Sequence, residues 1–251
     1  MLITRLDHLT LTVPDVAAAA SDYALLLGQT PRTQALHEMR LDCENIWLVL
    51  QPAEGERAAG SEVPVGLMFA ADDVAAAAHR LGRRGLAGEM RSGVLHVDQA
   101  ATRGVEIGVV AEAPRAAVTA SDIVGLDHVV VRTHDAERAV ALYGGRLGLD
   151  LRLDRVRREI GVRQMFFLLG GLVVEVVQSL KDIAPAEDDS VWGLAWRSRD
   201  IEASRARVAA AGISVSEVKD GRKAGTRVAT VKSHTGGVPT LLIGGEGLER
   251  A

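Results

Sequence analysis

The chain has a single cysteine, Cys43, among 251 residues. No intrachain disulfide can form, which fits a reducing compartment. Aromatic residues make up 3%, too few for the stacking platforms on which single-stranded nucleic acids lie. Basic residues are not in excess: 29 Lys and Arg stand against 33 Asp and Glu, a net charge of -4. The electrostatic footprint of a nucleic-acid binder is therefore missing. No apolar run reaches the roughly 18 residues that a membrane helix needs. Met1 leads straight into a strand pattern, without the charged and apolar regions of a secretory signal. These absences predict a soluble cytoplasmic protein whose partners are small molecules, not nucleic acid or membrane. They leave a homodimer open. At 47% hydrophobic and 25% charged the composition is that of an ordinary globular protein, and the length suggests about two domains.

What is present is repetition. Four segments open alike: "RLDHLTLTVPDVAAAASDYALLLG" from Arg5, "VPVGLMFAADDVAAAAHRLGRRG" from Val63, "GLDHVVVRTHDAERAVALYGGRLGL" from Gly125 and "SVWGLAWRSRDIEASRARVAAAG" from Ser190. Each joins a short strand pattern to an acidic residue, an Ala-rich helix and a closing glycine. Asp72 and Asp200 are expected N-caps, since a carboxylate can accept from the orphan amides of a first turn. Pro14 suits a first helical position. Gly28, Gly85 and Gly212 suit helix ends that need positive φ. About three strand-like runs follow each helix. In the third unit they are "LDLRLDRVR", "VRQMFFLLG" and "LVVEVVQSL". Each unit thus reads β-α-β-β-β. The far ends "ATRGVEIGVV" and "HTGGVPTLLI" make the order A-B-A′-B′. Linkers are expected at 111–122 and 181–190, with the boundary near residue 118: one domain at 1–118, the other at 119–251.

Strand alternation puts Leu9, Leu11 and Val13 on one face of the first strand and His8, Thr10 and Thr12 on the other. In the third unit Val129 and Val131 oppose His128, Val130 and Arg132. The more apolar face should cover the unit's own helix, and the histidine face should look into the concavity of a curved sheet. Gly66 and Gly193 take the histidine place in the second and fourth units, leaving space in a substrate cavity. Glu175 stands among valines in "GGLVVEVVQ", where a carboxylate is costly without a partner or a metal. His128 and Glu175 could converge, and imidazole and carboxylate are ordinary ligands of a divalent metal. The bland alternative pairs Glu175 with an arginine of "RLDRVRREIGVR" and leaves His8 oriented by Asp7. Arg157, Arg158 and Arg163 are candidates to hold an anionic substrate. There is no P-loop, zinc cysteine cluster, nucleophile elbow or dinucleotide fingerprint.

At "LDHLTLTV", "LDHVVVRT", "LYGGRLGL" and "GGLVVEVV" the sequence resembles the vicinal oxygen chelate superfamily, also known as the glyoxalase/bleomycin-resistance/dioxygenase superfamily, as a two-domain, four-module member. The resemblance spans nearly the whole chain. It implies an α+β fold, with four β-α-β-β-β modules paired into two curved-sheet half-barrel domains and the helices outside. It also implies a divalent metal (Zn, Fe, Mn, Ni or Mg) bound by a first-strand histidine and a last-strand glutamate. By that pattern His128 and Glu175 match, and His8 matches again. Leu48 is read at the first unit's glutamate place, Gly108 in the second unit, and Thr240 or Leu241 in the fourth. Arg163 and Thr240 join Gly66 and Gly193 as expected cavity residues. The implied function is a metal-dependent lyase or isomerase acting on a small oxygenated molecule, with Glu175 or a metal-bound water as base. Two alternatives are a metal-free small-molecule binding protein and an extradiol-type dioxygenase with an atypical ligand set.

Overall fold

The computed structural model describes residues 3–53, 55, 62–115, 117–118, 120–181 and 188–248. Residues 116 and 119 of the first expected linker and 182–187 of the second lie outside the described residues. The four units are present in order. The first is β1 (Arg5–Val13), α1 (Val16–Leu27), β2 (Arg32–Ala35), β3 (Glu38–Asp42) and β4 (Trp47–Pro52). The second is β5 (Val65–Ala71), α2 (Val74–Arg83), β6 (Gly88–Arg91), β7 (Val94–Val97), a one-turn helix α3 (Gln99–Thr102) and β8 (Ile107–Ala111). The third is β9 (Ile123–Thr133), α4 (Ala136–Ala139) running into a π-helical segment (Val140–Arg146), then β10 (Asp150–Arg157), β11 (Val162–Leu169) and β12 (Leu172–Ser179). The fourth is β13 (Ser190–Ser198), α5 (Ile201–Ala210), β14 (Lys219–Asp220), β15 (Arg227–Val231) and β16 (Thr240–Gly244).

The strands form two curled eight-stranded sheets. Their orders are β2-β3-β4-β1-β5-β8-β7-β6 and β10-β11-β12-β9-β13-β16-β15-β14. Inside a unit the first strand lies beside the last, and the pairs β5/β8, β9/β12 and β13/β16 are parallel. A parallel pair needs a long crossover, which the helix and two further strands supply. Those further strands pair antiparallel through short turns, as in β10/β11 and β11/β12. By contacts the chain divides into two compact units. One comprises Met1–Leu9, Pro64–Pro114 and His128–Trp192; the other comprises Thr10–Val63, Arg115–Asp127 and Gly193–Ala251. Among the described residues no helix is long and apolar enough to cross a membrane.

Helix starts shift slightly from the sequence reading. The second helix is capped by Asp73, not Asp72: Asp73 is extended and its carboxylate accepts from the Ala76 amide at 2.9 Å. Pro14 lies outside its helix, one residue before the N-cap Asp15, which accepts from Ala18. Asp200 caps α5 as expected, accepting from Ala203. Gly28, Gly85 and Gly212 all have positive φ at helix ends, where a Cβ would be strained.

The third unit shows how the sheet is divided between core and site. Val129, Val131, Met165, Phe167, Val174 and Val176 are buried on the face that carries the helix. Tyr143 of the π-helical segment packs there, its ring centroid 5.6 Å from that of Phe167. Residues of opposite parity, including Val130, Phe166, Leu168, Val173 and Val177, are half-buried and line the other face.

Candidate active site

The register of three strands builds the site. His128 on β9 lies opposite Val173 on β12, and Val130 lies opposite Glu175. Directly opposed residues share a face, so His128 and Glu175 project from the same side of neighbouring strands. Their Nε2 and Oε2 atoms are 3.6 Å apart, with 19% and 12% of the side chains exposed. That is too long for a hydrogen bond. It is close to the roughly 3.4 Å between two ligands that each make a ~2.1 Å bond to one tetrahedral ion.

On β11, Phe166 opposes Glu175 and Gln164 opposes Val177. Gln164 therefore shares the Glu175 face. Its amide Nε2 donates to Glu175 Oε1 at 2.6 Å. Its Oε1 accepts from Arg155 Nη2 on β10 at 3.2 Å, and Arg155 opposes Gln164 in the ladder. A carboxylate only accepts and a guanidinium only donates, so the two partners fix the orientation of the amide. Gln164 is thereby committed at both ends. It holds one oxygen of Glu175 and leaves the other turned toward His128. Glu175 makes no direct ion pair with an arginine among the described residues; Arg155 reaches it only through the Gln164 amide.

Gln164 and Arg155 escaped the sequence reading, although a signal was present. Gln164 interrupts the apolar run "VRQMFFLLG" and is 3% exposed. A buried amide requires partners, and strand parity would have pointed it toward Glu175.

The other expected residues are placed differently. His8 is hydrogen-bonded through Nδ1 to Asp7 Oδ2 at 2.9 Å, and Asp7 also contacts Arg5 at 3.3 Å. Leu48 is not at the first unit's glutamate place. It is fully buried, whereas Gln51 donates to Thr12 at 2.9 Å and so shares the Thr12 face of the first strand. By alternation Val49 and Trp47 are on that face and Leu48 is on the helix face. In the second unit a Cβ on Gly108 would lie 2.2 Å from the Met68 methyl carbon: the thioether fills the space a glutamate would need. Gly66 is buried within β5. A Cβ on Gly193 would stand 3.1 Å from the Pro239 carbonyl oxygen, so this glycine permits a close backbone approach. Thr240 is buried and donates to the Val238 carbonyl at 2.8 Å.

Arg163 lies on the face opposite Glu175. It pairs with Asp154 at 2.7 Å and Glu137 at 2.6 Å, and hydrogen bonds from Arg163 hold the Asp154 carboxyl below its ordinary range. Arg163 lines a separate open cleft of about 420 Å³ with Arg103, His134, Glu137, Arg138 and Gln178. Arg138 is likewise taken by Asp189, at 3.1 and 3.2 Å.

A family model described as Glyoxalase/Bleomycin resistance protein/Dioxygenase superfamily matches residues 127–230. Over those residues, from within β9 to β15, the chain is similar to this superfamily. Among solved structures, a mutant 4-hydroxymandelate synthase from Streptomyces coelicolor aligns over 98% of this chain and 94% of its own, with TM-score 0.75 and 16% identity. At that identity the likeness is one of fold, and it extends across both sheets. A methylmalonyl-CoA epimerase from Mycobacterium tuberculosis aligns over 51% of this chain and 93% of its own, with TM-score 0.44 and 20% identity. No curated protein matches the sequence.

The donor set can be tested against a divalent ion. His128 and Glu175 fit in donor type and spacing. They supply two protein ligands, and among the described residues no group of three His, Cys, Asp or Glu is arranged to hold a metal. The Gln164 oxygen is engaged by Arg155. An ion at this pair would therefore take its remaining positions from water and substrate oxygens.

Proposed function

We propose that this chain is a member of that superfamily and a divalent-metal-dependent lyase or isomerase of a small oxygenated substrate, with its site in the C-terminal half, residues 119–251. The observation that carries the reading is the 3.6 Å approach of His128 Nε2 and Glu175 Oε2. Those two residues would hold the ion, which when bound supplies Lewis-acid polarisation of a substrate carbonyl. The protein's own part is to position and exclude. Gln164 restrains the rotation of Glu175 by holding Oε1. Val130, Val173, Val177, Phe166 and Leu168 wall the face with apolar surface, which keeps water from a developing anion and strengthens local electrostatics. Glu175 is the carboxylate this face presents, so it is the group that would take a proton from the carbon beside the carbonyl.

A second reading is favoured by the shortage of protein ligands and the half-buried apolar wall: a protein that binds a small molecule without metal or turnover. An extradiol-type dioxygenase draws less support, because among the described residues one histidine, not two, accompanies the glutamate. Metal content after purification without chelator separates the first two readings. The enzyme predicts about one divalent ion per chain, lost in both His128→Ala and Glu175→Ala. Metal-free protein that still binds small molecules would favour the binding module. Metal retained in Glu175→Ala would remove this site altogether.

A further inference from the structure

Arg155 is a half-buried cation on the same face as the candidate site. Its guanidinium stands over the Phe166 ring, 5.4 Å from the centroid. Of the five N–H donors an arginine carries, one set is used, by Nη2 toward Gln164. Nε is buried and has no hydrogen-bond partner among the described residues. Among the described residues Arg155 makes no ion pair. Glu159 feels its charge, but that carboxylate is hydrogen-bonded to Arg157. The neighbouring arginines behave differently: Arg152 is paired with Asp150, Arg157 with Glu159 and Arg163 with Asp154. Arg155 thus keeps an unneutralised charge beside apolar surface, where a missing counter-charge is costly.

We infer that Arg155 anchors an oxyanion of the substrate, a carboxylate or a phosphoryl group. The inference rests on the proposed active site and adds its substrate class. Two hydrogen bonds and one amide separate Arg155 from Glu175, so the Nη2 atom lies within roughly 8 Å of the Glu175 carboxylate. An anion held there sits a few bonds from a carbon presented to Glu175. The substrate is therefore a short molecule with an anionic end and an oxygen-bearing reacting end. Planar two-pronged donation explains why this position would use arginine and not lysine. The Phe166 ring, 5.4 Å from the guanidinium, adds a cation–π attraction that holds Arg155 at this face.

Isothermal titration of the full chain with malonate, inorganic phosphate and the neutral analogue malonamide tests this, in chelator so that no metal contributes. Wild type should bind malonate, phosphate or both, and should ignore malonamide. The better of the two anions identifies the oxyanion class. Arg155→Met should weaken that anion at least tenfold, and Arg155→Lys should recover part of the loss. Circular dichroism and thermal unfolding of Arg155→Met should match wild type, which certifies the fold. Anion binding unchanged in Arg155→Met, or absent from wild type, overturns the inference. Loss of the metal reading alone leaves the chelator experiment standing, so the two failures are distinguishable.

Discussion

The first and third units are built on one pattern and end with different chemistry. His8 and His128, Asp15 and Asp135, Tyr23 and Tyr143, and Gly28 and Gly148 occur at one constant offset along the chain. Asp15 and Asp135 both cap their helices. Gly28 and Gly148 both adopt positive φ. The scaffold is thus held in common, and what separates the units is a few side chains on one face. Where the third unit places Glu175, Gln164 and Arg155, the first places Val49 with Trp47, and Arg40 lies over the Trp47 ring at 4.3 Å. The first histidine turns to its own neighbour Asp7. The later one meets a carboxylate from another strand. A site on this fold therefore depends on the last strand's residue as much as on the histidine.

The sharpest way to break the comparison is Glu175→Val, which gives the third unit the valine that the first carries at 49. Divalent-ion binding should vanish, while circular dichroism stays that of the folded protein. Retained metal would mean that the ion is not held at the His128–Glu175 pair. Gln164→Leu is the next step down. It removes the group that restrains Glu175 but leaves both proposed ligands. Loss of an outer-shell partner typically costs about 10–100-fold in metal affinity, and that is the expected range by titration. An affinity unchanged from wild type would show that Gln164 fills space and does not orient the carboxylate.

These two variants also mark how far the sequence could be read. Unit order, helix positions and the three strands of the third unit follow from period and from Gly and Asp punctuation, because local backbone chemistry dictates them. The convergence of His128 and Glu175 was legible because two residues on adjacent parallel strands need only parity and neighbour order to meet. Leu48 was misread because the choice between 48 and 49 is a one-residue register question. A slip of one flips every side chain to the other face. Only the Gln51–Thr12 hydrogen bond settles that parity. Gln164 lies on β11 and Arg155 on the edge strand β10, where the antiparallel register is set by turns whose lengths are ambiguous in the sequence. Gly193 is read from sequence as a gap in a cavity wall, but the close Pro239 carbonyl comes from the residue just before β16, nearly fifty positions away.

The paired tyrosines sharpen the comparison at the level of stability. Both are fully buried, and burial pushes both phenol pKa values up, with Asp22 adding to it at Tyr23 and Asp189 at Tyr143. Tyr23 donates to the Thr235 carbonyl at 2.8 Å. The Tyr143 hydroxyl has no hydrogen-bond partner among the described residues. Tyr23→Phe should therefore cost about 1 kcal/mol or somewhat more, since it also leaves a carbonyl short of a donor. Tyr143→Phe should be neutral or slightly stabilising, because it removes a desolvated hydroxyl that nothing repays. Thermal unfolding of the two variants side by side reads the difference. Equal losses would show that Tyr143 has a partner in solution.

The smallest expected effect is the most discriminating for the histidines. His8→Ala should leave divalent-ion stoichiometry and affinity where they are in wild type. The reason is geometric: the His8 ring is held by Asp7 at 2.9 Å, and the residues sharing the Thr12 face on β4 are Trp47, Val49 and Gln51, which offer neither a carboxylate nor an imidazole. The variant should still lose a little stability, up to about 1 kcal/mol, because a hydrogen bond to a charged group goes. Arg5 stays beside Asp7 and limits that loss. A fall in metal affinity as large as that of His128→Ala would mean that both histidines serve one ion, and the site would then have to be rebuilt with a third protein ligand.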